Sequence, residues 1–147
     1  MPLDPSYVGR TFPPTVPYLV GREKIREFAT AIGATDPIYH DPEAARALGY
    51  PDVVAPPTFP IVLTESTLAQ LREDEGLGLD FSRVVHGDQR YAYARPLHAG
   101  DEIVCVCTVE EITSRAGNEF ITATSELRTV GGEHVARATS KLVIRGE

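Results

Sequence analysis

Apolar positions in the first third of the chain fall at helical spacing. Ile25, Phe28, Ala29 and Ile32 share one face of a segment from Arg22 to Ile32, with Arg22, Glu23, Lys24, Arg26 and Glu27 around them. Gly33 is a stop just past the last apolar position. A loop, Gly33 to Pro42, follows. Asp41, Pro42 and Glu43 then read as N-cap, first helical position and first turn. Ala44, Ala45, Ala47 and Leu48 fill that short helix, and Gly49 ends it. Tyr50 to Ala55 is a connector. Pro56, Pro57 and Thr58 open the longest helix, which runs to Asp74. Ile61, Leu68 and Leu71 mark one of its stripes and Val62, Ser66 and Ala69 another. With so much of its circumference apolar or small, the helix is expected to be deeply buried.

After Ser82 the period shortens to two. Val84–Arg95, Asp101–Thr113, Phe120–Val130 and Val135–Ile144 read as strands, and Pro17–Val20 as a shorter one. The links Pro96–Gly100, Arg115–Asn118 and Gly131–Gly132 are short and turn-rich, which predicts an antiparallel meander. In the last strand Ala136, Ala138, Ser140, Leu142 and Ile144 share a face whose small side chains let a helix lie close. Arg137, Thr139 and Lys141 form the wet face. The pattern is α+β: an antiparallel sheet wrapped around one long central helix, as one domain over residues 1–147. Residues 1–16 begin a run holding Pro2, Pro5, Pro13, Pro14 and Pro17, and read as an extended lead-in that wraps a surface.

The chain has 147 residues, enough for one real core. Its net charge of -7, from 14 basic and 21 acidic side chains, argues against a nucleic-acid partner. No apolar run approaches the roughly 18 residues of a membrane span. Met1 to Arg10 lacks the apolar centre of a signal peptide, so a cytoplasmic protein is expected. Cys105 and Cys107 sit two apart in a strand, badly placed for a bridge, and read as small apolar fillers. No zinc motif, phosphate loop, dinucleotide fingerprint or serine triad is present, so no metal and no cofactor is expected.

Chemistry concentrates in the loop Gly33-Ala34-Thr35-Asp36-Pro37-Ile38-Tyr39-His40-Asp41-Pro42. Asp36 and His40 are candidates for an acid–base pair, against a turn-making aspartate before proline and a surface histidine. His86 is a third candidate, beside Gly87, which in a strand marks a bulge or a close approach of another group. Simple alternation puts Gln89 and Tyr91 on the face opposite His86. His98 and His134 read as solvated. Arg22, Lys24 and Arg26 offer a basic patch to a phosphate, or simply a solvated helix face. Glu65 is a candidate for activating water, or a helix-surface glutamate.

Four stretches carry a family resemblance: Gly33–Ala45, Val53–Phe59, His86–Gln89 and Arg95–Asp101. In them the chain resembles the MaoC-like hydratase/dehydratase family, which has the hotdog fold and acts on acyl thioesters. Within it the chain is similar to the substrate-holding, non-catalytic subunit of heterodimeric (3R)-hydroxyacyl-ACP dehydratases. The family's catalytic pattern is Gly-Asp-x-Asn-Pro-Ile-His-x-Asp-Pro. Gly33, Pro37, Ile38, Asp41 and Pro42 match it. The catalytic Asp falls on Ala34 and the catalytic His on Tyr39, whose phenol ordinarily titrates near about 10. The His-Gly that opens the family's long helix, where a backbone N–H holds the thioester oxygen, falls on Pro56 and Pro57, which have no N–H. The Thr58 N–H is the remaining donor.

The resemblance thus implies a subunit of an (R)-specific 3-hydroxyacyl thioester dehydratase or enoyl-thioester hydratase that holds the acyl chain without the acid–base pair. Ala34, Tyr39, Pro57, Thr58, Phe59 and Gly87 would touch the substrate, an acyl-CoA or acyl-carrier-protein thioester. The partner would be a second copy or a catalytic MaoC-type subunit. The alternatives are a homodimeric hydratase with a non-standard site, and an acyl-thioester binding module or thioesterase.

Overall fold

The computed structural model describes residues 2–147; Met1, the first residue of the lead-in, lies outside them. In chain order the elements are β1 (Tyr18–Leu19), α1 (Arg22–Ala31), α2 (Pro42–Ala47), α3 (Pro60–Glu73), β2 (Val84–Tyr93), β3 (Glu102–Arg115), β4 (Asn118–Thr129) and β5 (His134–Ile144). The strands form one antiparallel sheet in the order β1-β3-β4-β5-β2. It curls around α3, the expected α+β arrangement.

Two expectations need correction. Only β3, β4 and β5 form a meander. β2 does not turn back on β3 but pairs with β5 at the far edge, from Val84 opposite Ile144 to Tyr93 opposite Ala136. The link between β2 and β3 is therefore a crossover, stitched to the chain below it by the Val54–His98 bridge. Its shortness misled: the sheet is curled enough for a short segment to cross its end.

The long helix also begins later than expected, at Pro60 rather than at Pro56–Thr58. A helix starting at Pro56 would bring the Pro60 ring against the carbonyl of residue 56. At the first helical position Pro60 costs nothing, since its missing N–H would be unpaired there anyway. The helix buries one face, Pro60, Leu63, Thr64, Thr67 and Leu71, while Ile61, Val62, Leu68 and Ala69 are half-covered. It is not buried all round.

Two apolar clusters make the core. Phe59 and Leu63 meet Ile103, Cys105, Leu127, Ala136 and Ala138 in one. In the other, Leu71 meets Cys107, Val109, Ile121 and Leu142, together with Leu3, Tyr7 and Phe12 of the lead-in. The lead-in is thus more than a surface wrap. It runs beside β3, with hydrogen bonds from Gly9 N–H to the Val109 carbonyl (2.7 Å), Phe12 N–H to Cys107 (2.8 Å) and Thr15 N–H to Cys105 (2.9 Å). Its prolines lie on an edge, where a missing N–H is tolerated. Both cysteines are buried and unbridged, and burial pushes both thiols up to about 11. Among the described residues no helix is long and apolar enough to cross a membrane.

Phe59 is fully buried and meets Phe28 edge-to-face, with centroids 5.4 Å apart. Phe59→Ala is expected to lower unfolding stability by about 3–5 kcal/mol in a denaturant titration. Ile61→Ala, on the half-covered side of the same helix, should cost less.

Candidate functional site

The loop between α1 and α2 is held by its own polar groups. Gly33 has φ +73°, the left-handed conformation that lets α1 stop. The Ala34 N–H then reaches back to the Ala29 carbonyl at 2.8 Å. Asp36 accepts from the Ile38 N–H at 3.0 Å and caps a single turn, Pro37–Tyr39. Asp41 accepts from the Glu43 N–H at 2.9 Å and caps α2. His40 donates from Nε2 to the Ala34 carbonyl at 2.7 Å, and Arg26 donates from Nε to the His40 carbonyl at 2.8 Å. A carbonyl only accepts, so the proton sits on Nε2 and Nδ1 is left as an acceptor. Asp36 and His40 each bind loop backbone, and no hydrogen bond joins them.

Beside this loop lies a cavity of about 340 Å³, lined among others by Ile38, Tyr39, Tyr50, Pro57, Tyr93 and Pro96. No charged side chain lines it. The Tyr93 hydroxyl donates to the Pro57 carbonyl at 2.6 Å, tying the end of β2 to the segment before α3. Burial raises the Tyr91 phenol above its ordinary value and, with Tyr91 adding to the effect, raises Tyr93 further. Both stay neutral donors across the physiological range. Of the residues expected at substrate, Tyr39 and Pro57 line this cavity. Ala34 is half-buried nearby in the loop, and Phe59 is wholly in the core. Thr58 is exposed, and among the described residues its N–H has no protein acceptor. Tyr50 and Tyr93 were missed by the sequence reading. Tyr50 sits in a connector without periodicity, and the face that Tyr93 presents is set by the register of β2 after its bulge between His86 and Asp88, where Tyr93 lies opposite Ala136.

A family model described as FAS1-like, dehydratase domain region, matches residues 6–138. The chain belongs to this FAS1-like dehydratase family. A UPF0336 protein of Streptomyces avermitilis is 56% identical over 145 residues, covering 99% of this chain and 97% of its own length. A UPF0336 protein of Leifsonia xyli is 54% identical over 147 residues, covering 100% and 99%. Among solved structures, a chain of the C-terminally truncated HadBC complex, a (3R)-hydroxyacyl-ACP dehydratase of Mycobacterium tuberculosis, matches with TM-score 0.82 and 30% identity over 93% of this chain and 96% of that one. A MaoC-like dehydratase matches with TM-score 0.88 and 32% identity, covering 96% of this chain and 43% of that one. The fold is the hotdog of the MaoC-like dehydratases and hydratases.

In this member of the family, β2 is interrupted by a bulge between His86 and Asp88. One extra residue reverses the alternation beyond it, so His86 and Gln89 share a face. His86 donates from Nε2 to Gln89 Oε1 at 3.0 Å, Ser140 Oγ donates to the same oxygen at 2.7 Å, and Gln89 Nε2 reaches the Thr139 carbonyl at 3.1 Å. The expected opposition of His86 to Gln89 and Tyr91 is thereby corrected. Gly87 allows the bulge to lie close, because a Cβ there would sit 3.0 Å from Val143 Cγ2. His86 also borders a separate hollow of about 190 Å³ with Leu68, Phe81 and Leu142.

The remaining candidates are paired. Arg22 grips Asp52 (3.0 and 2.7 Å), Lys24 meets Glu27 (3.2 Å), and Arg26 meets Glu23. Asp52 is held at about 2, chiefly by Arg22. Glu65 pairs with Arg72 at 3.5 Å on the exposed side of α3. His134 lies near the surface against Glu126, 2.8 Å away. Among the described residues no cluster suits a metal ion.

The crossover is pinned by one buried carboxylate. Asp101 receives both Arg95 Nη1 and Nη2 at 2.9 Å and the His98 N–H at 3.0 Å. Arg95 also binds Glu133 (2.8 Å) and the carbonyl of Pro96 (2.9 Å), whose ring borders the cavity. His98 is packed against Asp101 rather than solvated, with its Nε2 at 3.5 Å from the carboxylate. Burial pushes Asp101 up, but the Arg95 and His98 hydrogen bonds and the nearby charges outweigh it, and the carboxyl titrates below its ordinary value.

A carboxyl with a lowered native pKa stabilises the fold above its unfolded pKa and stops doing so as pH falls through the native one. Asp101→Asn should therefore lower stability at pH 7 by roughly 3 kcal/mol, leaving the Arg95 charge under-compensated. The gap from wild type should close as pH drops below about 4. Denaturant titrations at a series of pH values measure it; a constant gap would contradict the assignment.

Proposed function

We propose that the chain is a cytoplasmic subunit of an (R)-specific 3-hydroxyacyl thioester dehydratase, or enoyl-thioester hydratase, and that it binds the acyl group while a partner supplies the acid and base. The observation that carries this reading is the loop. Its shape is held by Gly33, Asp36, His40 and Asp41, while the family's two proton-transfer positions hold Ala34 and Tyr39. Syn addition of water across a conjugated double bond needs one group to activate water and one to deliver a proton at fixed separation. An alanine can do neither, and a neutral phenol is a poor base at pH 7.

The neighbouring cavity supports binding. Its lining is uncharged, about 340 Å³ is within the range of small-molecule sites, and its tyrosines pair apolar rings with hydroxyl donors. The start of α3 supports the absence of chemistry, because Pro56 and Pro57 offer no N–H to a thioester oxygen. β2 pairs with β5 alone, and its outer edge is where a second hotdog subunit would extend the sheet.

The purified chain alone should hydrate crotonyl-CoA no faster than buffer. Co-expressed with a catalytic MaoC-type subunit, it should co-purify as a heteromer and raise that subunit's activity, and Tyr39→Trp should weaken substrate binding by blocking the cavity. Full activity from this chain alone would overturn the proposal and favour a homodimeric hydratase. Release of free thiol from acyl-CoA would favour a thioesterase.

A further inference from the structure

Basic side chains in this acidic protein are almost all neutralised by a neighbour. Among the described residues, Arg10 stacks on the Tyr7 ring and only Arg115, Lys141 and Arg145 have neither an ion pair nor an aromatic partner. All three lie toward the same end of the sheet. Arg115 ends β3 opposite Asn118, Lys141 is on β5 opposite Thr122, and Arg145 follows β5. Arg145 borders a hollow that also holds Asp80, Glu119 and Glu147, so its field is offset locally. Arg115 and Lys141 border a different one of about 300 Å³, completed by Thr113, Ser114 and Phe120.

The strand register shows how these groups face one another. Thr113 is opposite Phe120, and Phe120 is opposite Val143, so Thr113 and Phe120 share a row across the sheet. Arg115 lies one row to one side, and Lys141 one row to the other, on the same face. Four residues along and two strands across set their Cα atoms roughly 16 Å apart, a gap the two long side chains narrow over the Phe120 ring. Glu111 shares Lys141's row but forms no ion pair with either cation. Asp88, directly across from Lys141, is committed to Arg90 at 3.0 Å.

We propose that this hollow binds a phosphorylated nucleoside, with its phosphates on Arg115 and Lys141, a hydroxyl hydrogen bond from Thr113, and its base on the Phe120 ring. Two separated cations suit two anionic groups better than one. Guanidinium and ammonium groups bond phosphate oxygens strongly, and an aromatic ring between them matches a flat base. In a protein with net charge -7, an unneutralised pair at one spot also draws an anion against the field of the rest.

Isothermal titration of the full chain with adenosine 3′,5′-bisphosphate at low salt is the test. Saturable binding is expected. The double variant Arg115→Ala/Lys141→Ala should weaken it about tenfold or more. Phe120→Ala should weaken it to a smaller degree, while Arg128→Ala, which removes an ion-paired cation elsewhere, should leave it unchanged. No saturable binding, equal loss with Arg128→Ala, or undiminished binding by the double variant overturns the site. Inorganic phosphate binding as tightly as the bisphosphate overturns the nucleoside assignment. A crotonyl-pantetheine thioester, which lacks the nucleoside, separates the two proposals: its binding depends on the tyrosine-lined cavity and should not change with Arg115 or Lys141.

Discussion

A helix can lie in the cup of a curled sheet only where the strands beneath it carry small side chains. Ala123 and Ser125 on β4 and Ala136, Ala138 and Ser140 on β5 meet that condition. The polar ones are also used: Ser125 donates to Thr67 Oγ1 at 3.0 Å, and Thr67 to the Thr64 carbonyl at 2.7 Å. Close approach at this floor lets Phe59, Leu63 and Leu71 reach between the strands, and it fixes where the start of α3 comes to rest. The cavity, the tyrosines and the proline-opened helix all take their positions from that contact.

The two edges of the sheet are treated differently. Along β3 the lead-in satisfies backbone groups and presents prolines, which blunts that edge against further pairing. Along β2, among the described residues, no further strand is added. This open edge carries the bulge at Gly87, the His86–Gln89–Ser140 hydrogen bonds and Tyr93. Asp101 keeps the arrangement together from the other end, because it ties the crossover to Arg95 and so holds Pro96 against the cavity.

The α1–α2 loop shows shape and chemistry to be separable. Its hydrogen bonds run from Asp36 and Asp41 to backbone N–H groups and from His40 to a backbone carbonyl. Such bonds preserve a conformation whatever occupies positions 34 and 39. The space beside the loop, lined by Tyr39, Tyr50 and Tyr93 among others, is uncharged and largely aromatic.

Local rules determined much of this protein. Helical spacing placed α1, the Asp-Pro start placed α2, and alternation on β5 separated Ala136, Ala138 and Ser140 from Arg137 and Lys141, because each depends on neighbours within a few residues. The family resemblance, likewise carried by short stretches, brought the hotdog fold. What depends on distant partners came only from the tertiary structure. Strand order is one case: β2 pairs with β5, a choice that a short link to β3 conceals. The face shared by His86 and Gln89 is another, since a single-residue bulge reverses alternation and is stabilised from the neighbouring strand. The packing of half-buried His98 against Asp101, and the meeting of Tyr39, Tyr50 and Tyr93 around one cavity, are of the same kind. They join residues far apart in the chain, and no local period records such contacts.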